Sequence, residues 1–372
     1  MQEKIKLCYI VSSLANEGPV NVMYNIIKYI DFEKYEVFVI TLREEKEESI
    51  IKKFEILPIS IIMLKIKSRI VNLPKIFFVL KQSLKEIQPL IIHTHCPRSL
   101  FLAVFLPSYY KKLHTIHNFP GIVDKAIYGF LKGTIVSSLM IWALKKIDKP
   151  IACARNIKDL LFKEHGIVVQ AIKNGVDFQV YKKDEKQKKK MRLKLGLSLS
   201  KKYFVFLGRF SYEKNPEFIV KAFSALERSD IELIMLGVGP LLDILKENNY
   251  NNIIYTGFKN NVREYLIASD YFVSSSRTEG MPNSVLEAMS VGLPLLLSDI
   301  PAHREIINDK NSNFGFLFDI NRSSDFNLQL EKLLSLPIDS TAALLKNYFV
   351  ENYTAEKMSL LYQNEYASIL KK

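Results

Sequence analysis

"YFVSSSRTEGMPNSVLEAMSVGLPLLLSD", residues 271–299, decides the fold class. It opens on the strand-like run "YFVSSS", passes through the turn "TEGMP", continues in the helical pattern "PNSVLEAMSVG" and closes on the apolar run "LPLLLSD". A strand, a helix and a second strand in close succession make a βαβ unit, whose strands run parallel. The stretch therefore predicts a parallel sheet covered by helices.

The same alternation runs along most of the chain, in two blocks. The first block contains the runs "KIKLCYIVSSL", "YEVFVITL", "LPISIIML", "PLIIHTH", "KLHTIH", "KPIACA" and "VQAIKNGVD", and the second contains "YFVFLGRF", "IELIMLG", "NIIYTG", "YFVSSS" and "LPLLLSD". These runs are continuously apolar rather than alternating, as expected of strands that are covered on both faces. Between the blocks lies the charge-rich stretch 181–202, which has the composition of a surface helix and connector. We therefore predict an α/β fold of two doubly wound domains, 1–178 and 179–354, that face each other across a cleft.

The last segment, residues 354–372, has the apolar spacing of a helix. The spacing predicts a buried face formed by Met358, Leu361, Tyr362 and Tyr366.

Composition limits the function classes. A length of 372 residues suits two domains, and 48% hydrophobic and 11% aromatic residues are typical of a globular protein. No apolar run reaches the roughly 18 residues that a membrane span needs, and the N-terminus lacks the pattern of a signal peptide, so we expect a cytoplasmic protein. The three cysteines, Cys8, Cys96 and Cys153, lack metal-ligand spacing and suit buried positions in a reducing compartment.

Positive charge is concentrated in the first half of the chain. Residues 1–175 hold 26 Lys and Arg against 15 Asp and Glu, a net of +11 out of the total of +13. This asymmetry suits a surface that approaches anionic lipid headgroups or a phosphorylated acceptor. The apolar segment 105–146 favours peripheral contact with a membrane surface, with an ordinary core helix as the alternative. Nucleic acid is excluded as a partner, because the aromatic residues lie within apolar runs and no helix-turn-helix or zinc spacing occurs.

Unusual residues follow the strands of the first block, where ligands of open α/β sheets bind. Gly18 follows the first strand and could let the backbone approach a phosphate, although an ordinary turn glycine fits as well. His93 and His95 share a strand face, so a metal site is one alternative, but no carboxylate or cysteine partner has suitable spacing. His117 follows a strand directly and precedes the turn "NFPG", which places it to touch a substrate.

In the second block, cations and acids follow two strands. Arg209 and Lys214 come after "YFVFL", and a guanidinium with an ammonium group suits a diphosphate. In the opening stretch, Pro282 fits the first helical turn, and Asn283 and Ser284 expose N–H groups where the helix dipole favours an anion.

Two acids lie on either side of that predicted anion site. Glu287, farther along the helix, could accept hydroxyl groups of a ribose, and Glu279 on the turn could reach the group attached to the phosphates. A ribose, a diphosphate and a polyhydroxy group are the parts of a nucleotide sugar.

These motifs resemble those of the retaining glycosyltransferases of family 4, which have the GT-B architecture of two facing Rossmann-like domains. The resemblance runs along nearly the whole chain. It rests on two acids separated by seven residues in "EGMPNSVLEA", on "GRFSYEKN" at 208–215, on "NGVD" at 174–177, on the glycine loop after the first strand and on "TIHN" at 115–118. The chain departs from the family in having a single glycine in "NEGPVN", and Met281 and Pro282 where a second glycine commonly follows the first acid.

The resemblance implies a role for each matching residue. Arg209 and Lys214 would bind the donor diphosphate and stabilise the leaving group, with Gly18, Asn283 and Ser284 as further donors to the phosphates and sugar. The catalytic positions would be His117 beside the sugar and Glu279 at its hydroxyl groups, while Glu287 would bind the ribose. It also implies that the last helix, 355–372, crosses back onto the first domain. No cofactor or metal is implied, and no Asp-x-Asp pair occurs in the sequence.

The expected activity is transfer of a hexose or N-acetylhexosamine from a nucleotide-diphosphate sugar. The acceptor would be a lipid-linked or saccharide molecule of bacterial surface polysaccharide synthesis, namely of lipopolysaccharide, capsule or exopolysaccharide. The protein would then lie in the cytoplasm, peripherally on the inner face of the membrane. The alternatives are a nucleotide-sugar epimerase of the same fold and a nucleotide-sugar-binding protein without catalysis.

Overall fold

A computed structural model describes residues 3–45, 49–67, 70–121, 124, 129–177, 185–247, 250–307 and 312–371. The chain divides into two compact units, the first formed by Met1–Gly175 with Ala355–Lys372 and the second by Val176–Thr354. The predicted boundary between residues 178 and 179 lies outside the described residues.

The first unit is built on a parallel sheet of seven strands. In chain order the strands are β1 Ile5–Val11, β2 Tyr35–Thr41, β3 Ser60–Met63, β4 Ile91–Thr94, β5 Lys111–Ile116, β6 Lys149–Ala152 and β7 Gln170–Ala171. The spatial order is β3-β2-β1-β4-β5-β6-β7, and every pairing is parallel. The order reverses between β1 and β4, as in a doubly wound fold.

Helices cover this sheet and are joined to it by loops. They are α1 Gly18–Lys28, α2 Ile51–Glu55, α3 Leu73–Ile87, α4 Pro97–Val104, α5 Phe130–Leu144, α6 Arg155–His165 and, from the end of the chain, α15 Ala355–Leu370. A short 3-10 turn, Ile70–Asn72, precedes α3. Helix α1 begins at Gly18, and Pro19 fits its first turn.

The C-terminal helix α15 belongs to the first unit and is tied to its sheet by buried polar side chains. The Tyr366 hydroxyl lies 2.8 Å from both the Tyr9 hydroxyl and Nδ1 of His93, and the Tyr362 hydroxyl lies 2.9 Å from Oγ1 of Thr115. The predicted buried face is wrong at one position, since Leu361 is 47% exposed. The buried set is shifted around the helix and consists of Ala355, Met358, Ser359, Tyr362, Glu365, Tyr366 and Ile369.

The second unit contains a parallel sheet of six strands. These are β8 Lys202–Leu207, β9 Ile231–Leu236, β10 Ile253–Gly257, β11 Tyr271–Ser274, β12 Leu295–Ser298 and β13 Gly315–Phe318, in the spatial order β10-β9-β8-β11-β12-β13. Strand β13 was not predicted, because its apolar stretch "FGFLF" at 314–318 is short and contains Gly315.

The helices of the second unit alternate with its strands. They are α7 Glu185–Lys194, α8 Pro216–Ser224, α9 Leu242–Lys246, α10 Val262–Ala268, α11 Asn283–Val291, α12 Pro301–Ile306, α13 Ser323–Leu334 and α14 Ile338–Asn352, with a 3-10 turn at Ser312–Phe314. A buried aromatic cluster, which includes Phe204, Phe223 and Phe326, packs the helices on one face of the sheet. The α/β fold class is confirmed. Among the described residues, no helix is both long enough and apolar enough to cross a bilayer.

Candidate functional site

The second sheet reverses its strand order between β8 and β11. Ligands of open α/β sheets bind at such a point, beyond the carboxyl ends of the strands, because the loops there diverge to opposite faces. The loop after β8 spans 208–215 and the loop after β11 spans 275–282, and these two loops carry Arg209, Lys214 and Glu279.

Lys214 and Glu279 form an ion pair across these loops. Nζ of Lys214 lies 2.5 Å from Oε1 of Glu279, and the side chains are 23% and 10% exposed. Oε1 of Glu279 also accepts a hydrogen bond from the Ser276 hydroxyl at 2.7 Å. A charge-assisted contact in a half-buried pocket is stronger than one in water. The carboxylate and the ammonium group therefore hold each other in defined positions at the reversal of the sheet.

Neighbouring residues fix the loop that carries Lys214. Asn215 adopts a left-handed conformation with φ of 50° and caps α8. Its side-chain oxygen accepts a hydrogen bond from Nη2 of Arg277 at 2.8 Å, and its carbonyl oxygen accepts one from Ser275 at 2.7 Å. The Arg277 guanidinium lies 4.7 Å from the centroid of the Tyr212 ring. The sequence did not point to Asn215, which directly follows Lys214, or to Arg277, which lies two residues before Glu279.

Gly237 and Gly239 follow β9 and allow the loop after β8 to approach their backbone closely. A Cβ atom at Gly237, where φ is +143°, would lie 1.9 Å from the carbonyl oxygen of Gly208. A Cβ atom at Gly239 would lie 2.4 Å from the carbonyl oxygen of Phe210. Only glycine fits such close approaches. The role of these two glycines was not predicted, although the sequence "GVG" at the end of a strand could have indicated it.

Helix α11 presents one half-buried face near its start. Asn283, Ser284 and Glu287 are partly exposed, whereas Val285, Leu286 and Ala288 are buried. Positions 283 and 287, like 284 and 287, lie on the same side of a helix. Pro282 is the N-cap rather than a residue of the first turn, with ψ of 105°, and its carbonyl oxygen accepts the amides of Val285 and Leu286. The start of a helix attracts anions, so an anion site here remains a prediction.

A buried histidine lies behind the loop of Glu279. His303 in α12 donates from Nδ1 to the carbonyl oxygen of Ser298 at 2.8 Å, and the Ser298 hydroxyl donates to the carbonyl oxygen of Ser276 at 2.6 Å. Burial lowers the pKa of His303 to about 4, with Lys214 acting in the same direction and Glu279 opposing it. The ring is therefore neutral at pH 7.

Arg209 lies in the same loop as Lys214 but differs in its surroundings. Its side chain is exposed, and it makes no ion pair with any residue that the structure describes. A guanidinium in this position is available to a phosphate group.

In the first unit, His117 follows β5 and pairs with His95, which follows β4. Nε2 of His117 lies 3.1 Å from Nδ1 of His95, and the ring of His95 lies 4.3 Å from the ring of His93. Both nitrogens of His93 are occupied, one by Tyr366 and the other by Thr115 at 2.8 Å. Within the described ranges, no cluster of three His, Cys, Asp or Glu side chains is arranged to hold a metal ion.

Gly18 is the first residue of α1 and lies beyond the carboxyl end of β1. At the reversal of the first sheet, the Ser12 hydroxyl after β1 lies 3.1 Å from Sγ of Cys96 after β4. The structure thus brings Lys214 and Glu279 into contact and groups Asn283, Ser284 and Glu287 on one helix face, while His117 and Gly18 belong to the other unit.

Two family models match consecutive parts of the chain. Residues 17–180 match the model described as Glycosyltransferase Family 4, and residues 187–351 match the model described as Glycosyl transferases group 1. Together they extend over both units.

Two curated bacterial proteins are similar in sequence. Alpha-monoglucosyldiacylglycerol synthase of Streptococcus pneumoniae is 29% identical over 253 residues, which are 63% of this chain and 57% of that protein. UDP-Gal:alpha-D-GlcNAc-diphosphoundecaprenol alpha-1,3-galactosyltransferase of Escherichia coli is 30% identical over 257 residues, which are 63% of this chain and 64% of that protein. The chain thus spans less than two thirds of the length of either relative.

A solved structure shares the fold over almost the full length. The crystal structure of HepE of Anabaena in complex with UDP-glucose superposes with a TM-score of 0.79 at 16% identity, covering 98% of this chain and 100% of that one. With two doubly wound sheets, two adjoining family matches and this likeness of fold, the chain belongs to the group 1 glycosyltransferases, family 4, and has the GT-B fold.

Proposed function

We propose that the protein transfers a hexose or N-acetylhexosamine from a nucleotide-diphosphate sugar, with retention of anomeric configuration, to a lipid-linked or saccharide acceptor. The observation that carries this proposal is the contact of Lys214 with Glu279 at the reversal of the second sheet. A cation and an acid at that point suit the two parts of the donor that flank the scissile bond, namely the diphosphate and the sugar.

The leaving group explains the need for cations. Breaking the anomeric C–O bond develops negative charge on a nucleoside diphosphate, and fixed donors aimed at that charge provide the main stabilisation. Lys214 and Arg209 supply two positive charges from one loop, and the start of α11 at Asn283 and Ser284 supplies a helix N-terminus. We propose that these groups act without a metal ion or other cofactor.

The acids hold the two sugars of the donor. Glu279, fixed by Lys214 and Ser276, would accept hydroxyl groups of the transferred sugar, and Glu287 would accept those of the ribose. His117 and Gly18 of the first unit are proposed to contact the transferred sugar and the phosphates, respectively. The acceptor hydroxyl would attack the anomeric carbon from the leaving-group face as the C–O bond to the diphosphate breaks. A phosphate oxygen of the leaving group would take its proton, so that neither an enzymatic nucleophile nor a separate base is needed.

We further propose that the acceptor is part of a bacterial surface polysaccharide, namely lipopolysaccharide, capsule or exopolysaccharide. The names of the two relatives describe a diacylglycerol product and a diphosphoundecaprenol acceptor, both of which are lipids. The protein would reach such a lipid from the cytoplasm, at the inner face of the membrane.

The surface of α5 supports this contact. Five of its apolar side chains are strongly exposed: Phe130 by 72%, Leu131 by 76%, Ile135 by 59%, Leu139 by 47% and Trp142 by 42%. Helix α5 is buried only in part, at Gly133, Met140, Ala143 and Leu144. The helix contains no acidic residue, and Lys132 is exposed on it. Apolar side chains flanked by lysine suit insertion at an anionic lipid surface. Residues 122–123 and 125–128 of the predicted membrane segment lie outside the described residues.

A binding assay tests the membrane contact. Trp142 is the only tryptophan in the chain, so its fluorescence reports this surface alone. Vesicles of phosphatidylglycerol should shift its emission to the blue, and vesicles of phosphatidylcholine should do so less. Leu131→Glu should weaken binding, whereas Leu328→Glu, at a site 54% exposed in the second unit, should not. Equal binding of both variants and the wild type to the vesicles would show that α5 does not contact the membrane.

The activity itself is tested with a panel of donors and acceptors. UDP- and GDP-linked hexoses and N-acetylhexosamines are offered with diacylglycerol or with a diphosphoundecaprenol-linked sugar, and both nucleoside diphosphate and new glycolipid are measured. One donor should yield both products in equal amounts, and EDTA should leave the rate unchanged. Lys214→Ala should abolish turnover, whereas Lys221→Ala, which changes an exposed lysine of α8, should not. Donor binding without turnover by any acceptor would instead favour a binding protein.

A further inference from the structure

Two histidines of the first unit share one hydrogen bond. Nδ1 of His95 and Nε2 of His117 lie 3.1 Å apart. His95 is 1% exposed, and its other nitrogen, Nε2, is buried without a hydrogen-bond partner in the described structure. His117 is half-buried, and its Nδ1 bonds to no described residue. The pair therefore presents one ring nitrogen of His117 to its surroundings and keeps one of His95 in the core.

The pair is electrically neutral. Burial lowers the pKa of His95 well below 6.5, and the neighbouring rings of His93, His117 and His114 lower it further. Burial also lowers the pKa of His117. Neither ring bonds to a carboxylate of the described residues, so no anion favours a second proton. Each ring thus carries one proton, and one ring donates to the other.

The buried Nε2 of His95 decides which ring donates. If His117 donated from Nε2, the single proton of His95 would have to lie on its own Nε2, where the described structure offers no acceptor. A buried N–H without an acceptor is rarer and less favourable than a buried lone pair without a donor. His95 therefore carries its proton on Nδ1 and donates to Nε2 of His117.

We infer that His95 is a positioning residue that holds His117 in the tautomer with its proton on Nδ1. With Nε2 occupied as an acceptor, the outward nitrogen of His117 is a hydrogen-bond donor and not a base. It would recognise an oxygen that carries a lone pair, such as the hydroxyl oxygen of a sugar. The identity of that ligand rests on the proposed function, whereas the tautomer does not.

The wild-type protein tests the tautomer directly. Two-bond proton–nitrogen correlation spectra of the full chain labelled with ¹⁵N-histidine distinguish protonated from bare ring nitrogens, and His117→Gln assigns the signals of His117. At pH 7.5 we expect His117 and His95 each to be protonated on Nδ1 and bare on Nε2. A proton on Nε2 of His117, or on both of its nitrogens, would overturn the inference whether or not the protein turns over a donor.

Variants of His95 test the positioning role. The side-chain amide N–H of Asn lies near the position of Nδ1, so His95→Asn should preserve the tautomer of His117. In His95→Gln and His95→Leu, His117 should become a mixture of its two tautomers. With the donor that the wild type uses, we expect kcat to fall about tenfold in His95→Gln and His95→Leu, as for the loss of one hydrogen bond, and to recover in His95→Asn.

These variants distinguish a failure of the positioning role of His95 from a failure of the proposed function. Equal kcat in all three variants, with correlation spectra that show folded chains, would overturn the positioning role. Absence of turnover in the wild type would count against the proposed function alone, because the spectra of the wild type still decide the tautomer. If His95→Leu does not fold, His95→Gln retains a polar side chain of similar size and gives the same comparison.

Discussion

Nζ of Lys214 contacts Oε1 of Glu279 at 2.5 Å, although 65 residues separate them in the chain. They meet because β8 and β11 are neighbours at the point where the second sheet reverses its order. Neutral, apolar side chains would suffice to pack two loops together. An ion pair at the reversal supports the proposal that both charges serve a ligand there.

The charge of Glu279 should matter more than its size. Glu279→Gln keeps an oxygen that can accept the Ser276 hydroxyl but loses the negative charge beside Lys214. We expect kcat to fall about 100-fold, the scale of losing one aligned electrostatic contact at a reacting centre. Steady-state kinetics with the preferred donor measure this. The matched control is Glu217→Gln in the first turn of α8, and an equal kcat for both variants would remove Glu279 from the reaction.

Gly237 should tolerate no side chain. Alanine there would combine a φ of +143° with a Cβ atom 1.9 Å from the Gly208 carbonyl oxygen. We expect Gly237→Ala to lower the free energy of unfolding by about 2–5 kcal/mol. Gly196 also has a positive φ, of +67°, but open space around its Cβ position, so Gly196→Ala should cost only about 1 kcal/mol. Urea unfolding compares the two, and equal losses would show that the close approach of the loops is not tight.

The C-terminal helix should depend on Tyr366. Tyr366→Phe removes a buried hydroxyl that lies 2.8 Å from both Tyr9 and His93, and leaves two buried polar groups without that partner. We expect the free energy of unfolding to fall by about 1–3 kcal/mol. Leu361→Ala, on the exposed face of the same helix, should change it by less than about 0.5 kcal/mol. Thermal or urea unfolding measures both, and a smaller loss for Tyr366→Phe would contradict the buried network.

The second unit should lose stability in mild acid through His303. Its pKa in the folded protein, about 4, lies below the ordinary value of 6.5, so the unfolded chain takes up a proton first as the pH falls. The contribution of His303 is complete above pH 6.5 and is lost as the pH falls towards 4, by about 3 kcal/mol. Hydrogen exchange of peptides from the second unit should show this loss, and His303→Asn should flatten it. An unchanged slope in the variant would show that His303 is not the group responsible.

The strands of the two sheets could be predicted from the sequence more completely than the packing of helices on them. Most of the strands from β1 to β12 follow continuous apolar runs, because strands of a covered parallel sheet are apolar on both faces. Strand β7, Gln170–Ala171, is an exception. The four-residue strand β13 was missed because its apolar run is short and contains Gly315. The exposed position of Leu361 was also missed, because helical spacing alone does not say which side of the stripe meets the sheet.

At the site, the sequence identified charged residues but not their supports. Lys214 and Glu279 follow strand ends in a recognisable motif, so their contact could be anticipated from the order of strands. Arg277 bonds to Asn215, 62 residues away in the chain, and Ser298, which accepts from His303, bonds to Ser276, 22 residues away. Gly237 acts through its lack of a side chain. Such contacts depend on tertiary packing and leave no periodic signal.

The most direct test of the account is the anomeric configuration of the transferred sugar. Proton NMR of the product formed from the preferred nucleotide-sugar donor and a lipid-linked acceptor gives this configuration from the coupling of the anomeric proton. We expect a product with the configuration of the donor, formed by the wild type and by Lys221→Ala but not by Lys214→Ala. An inverted product, or undiminished product from Lys214→Ala, would contradict it.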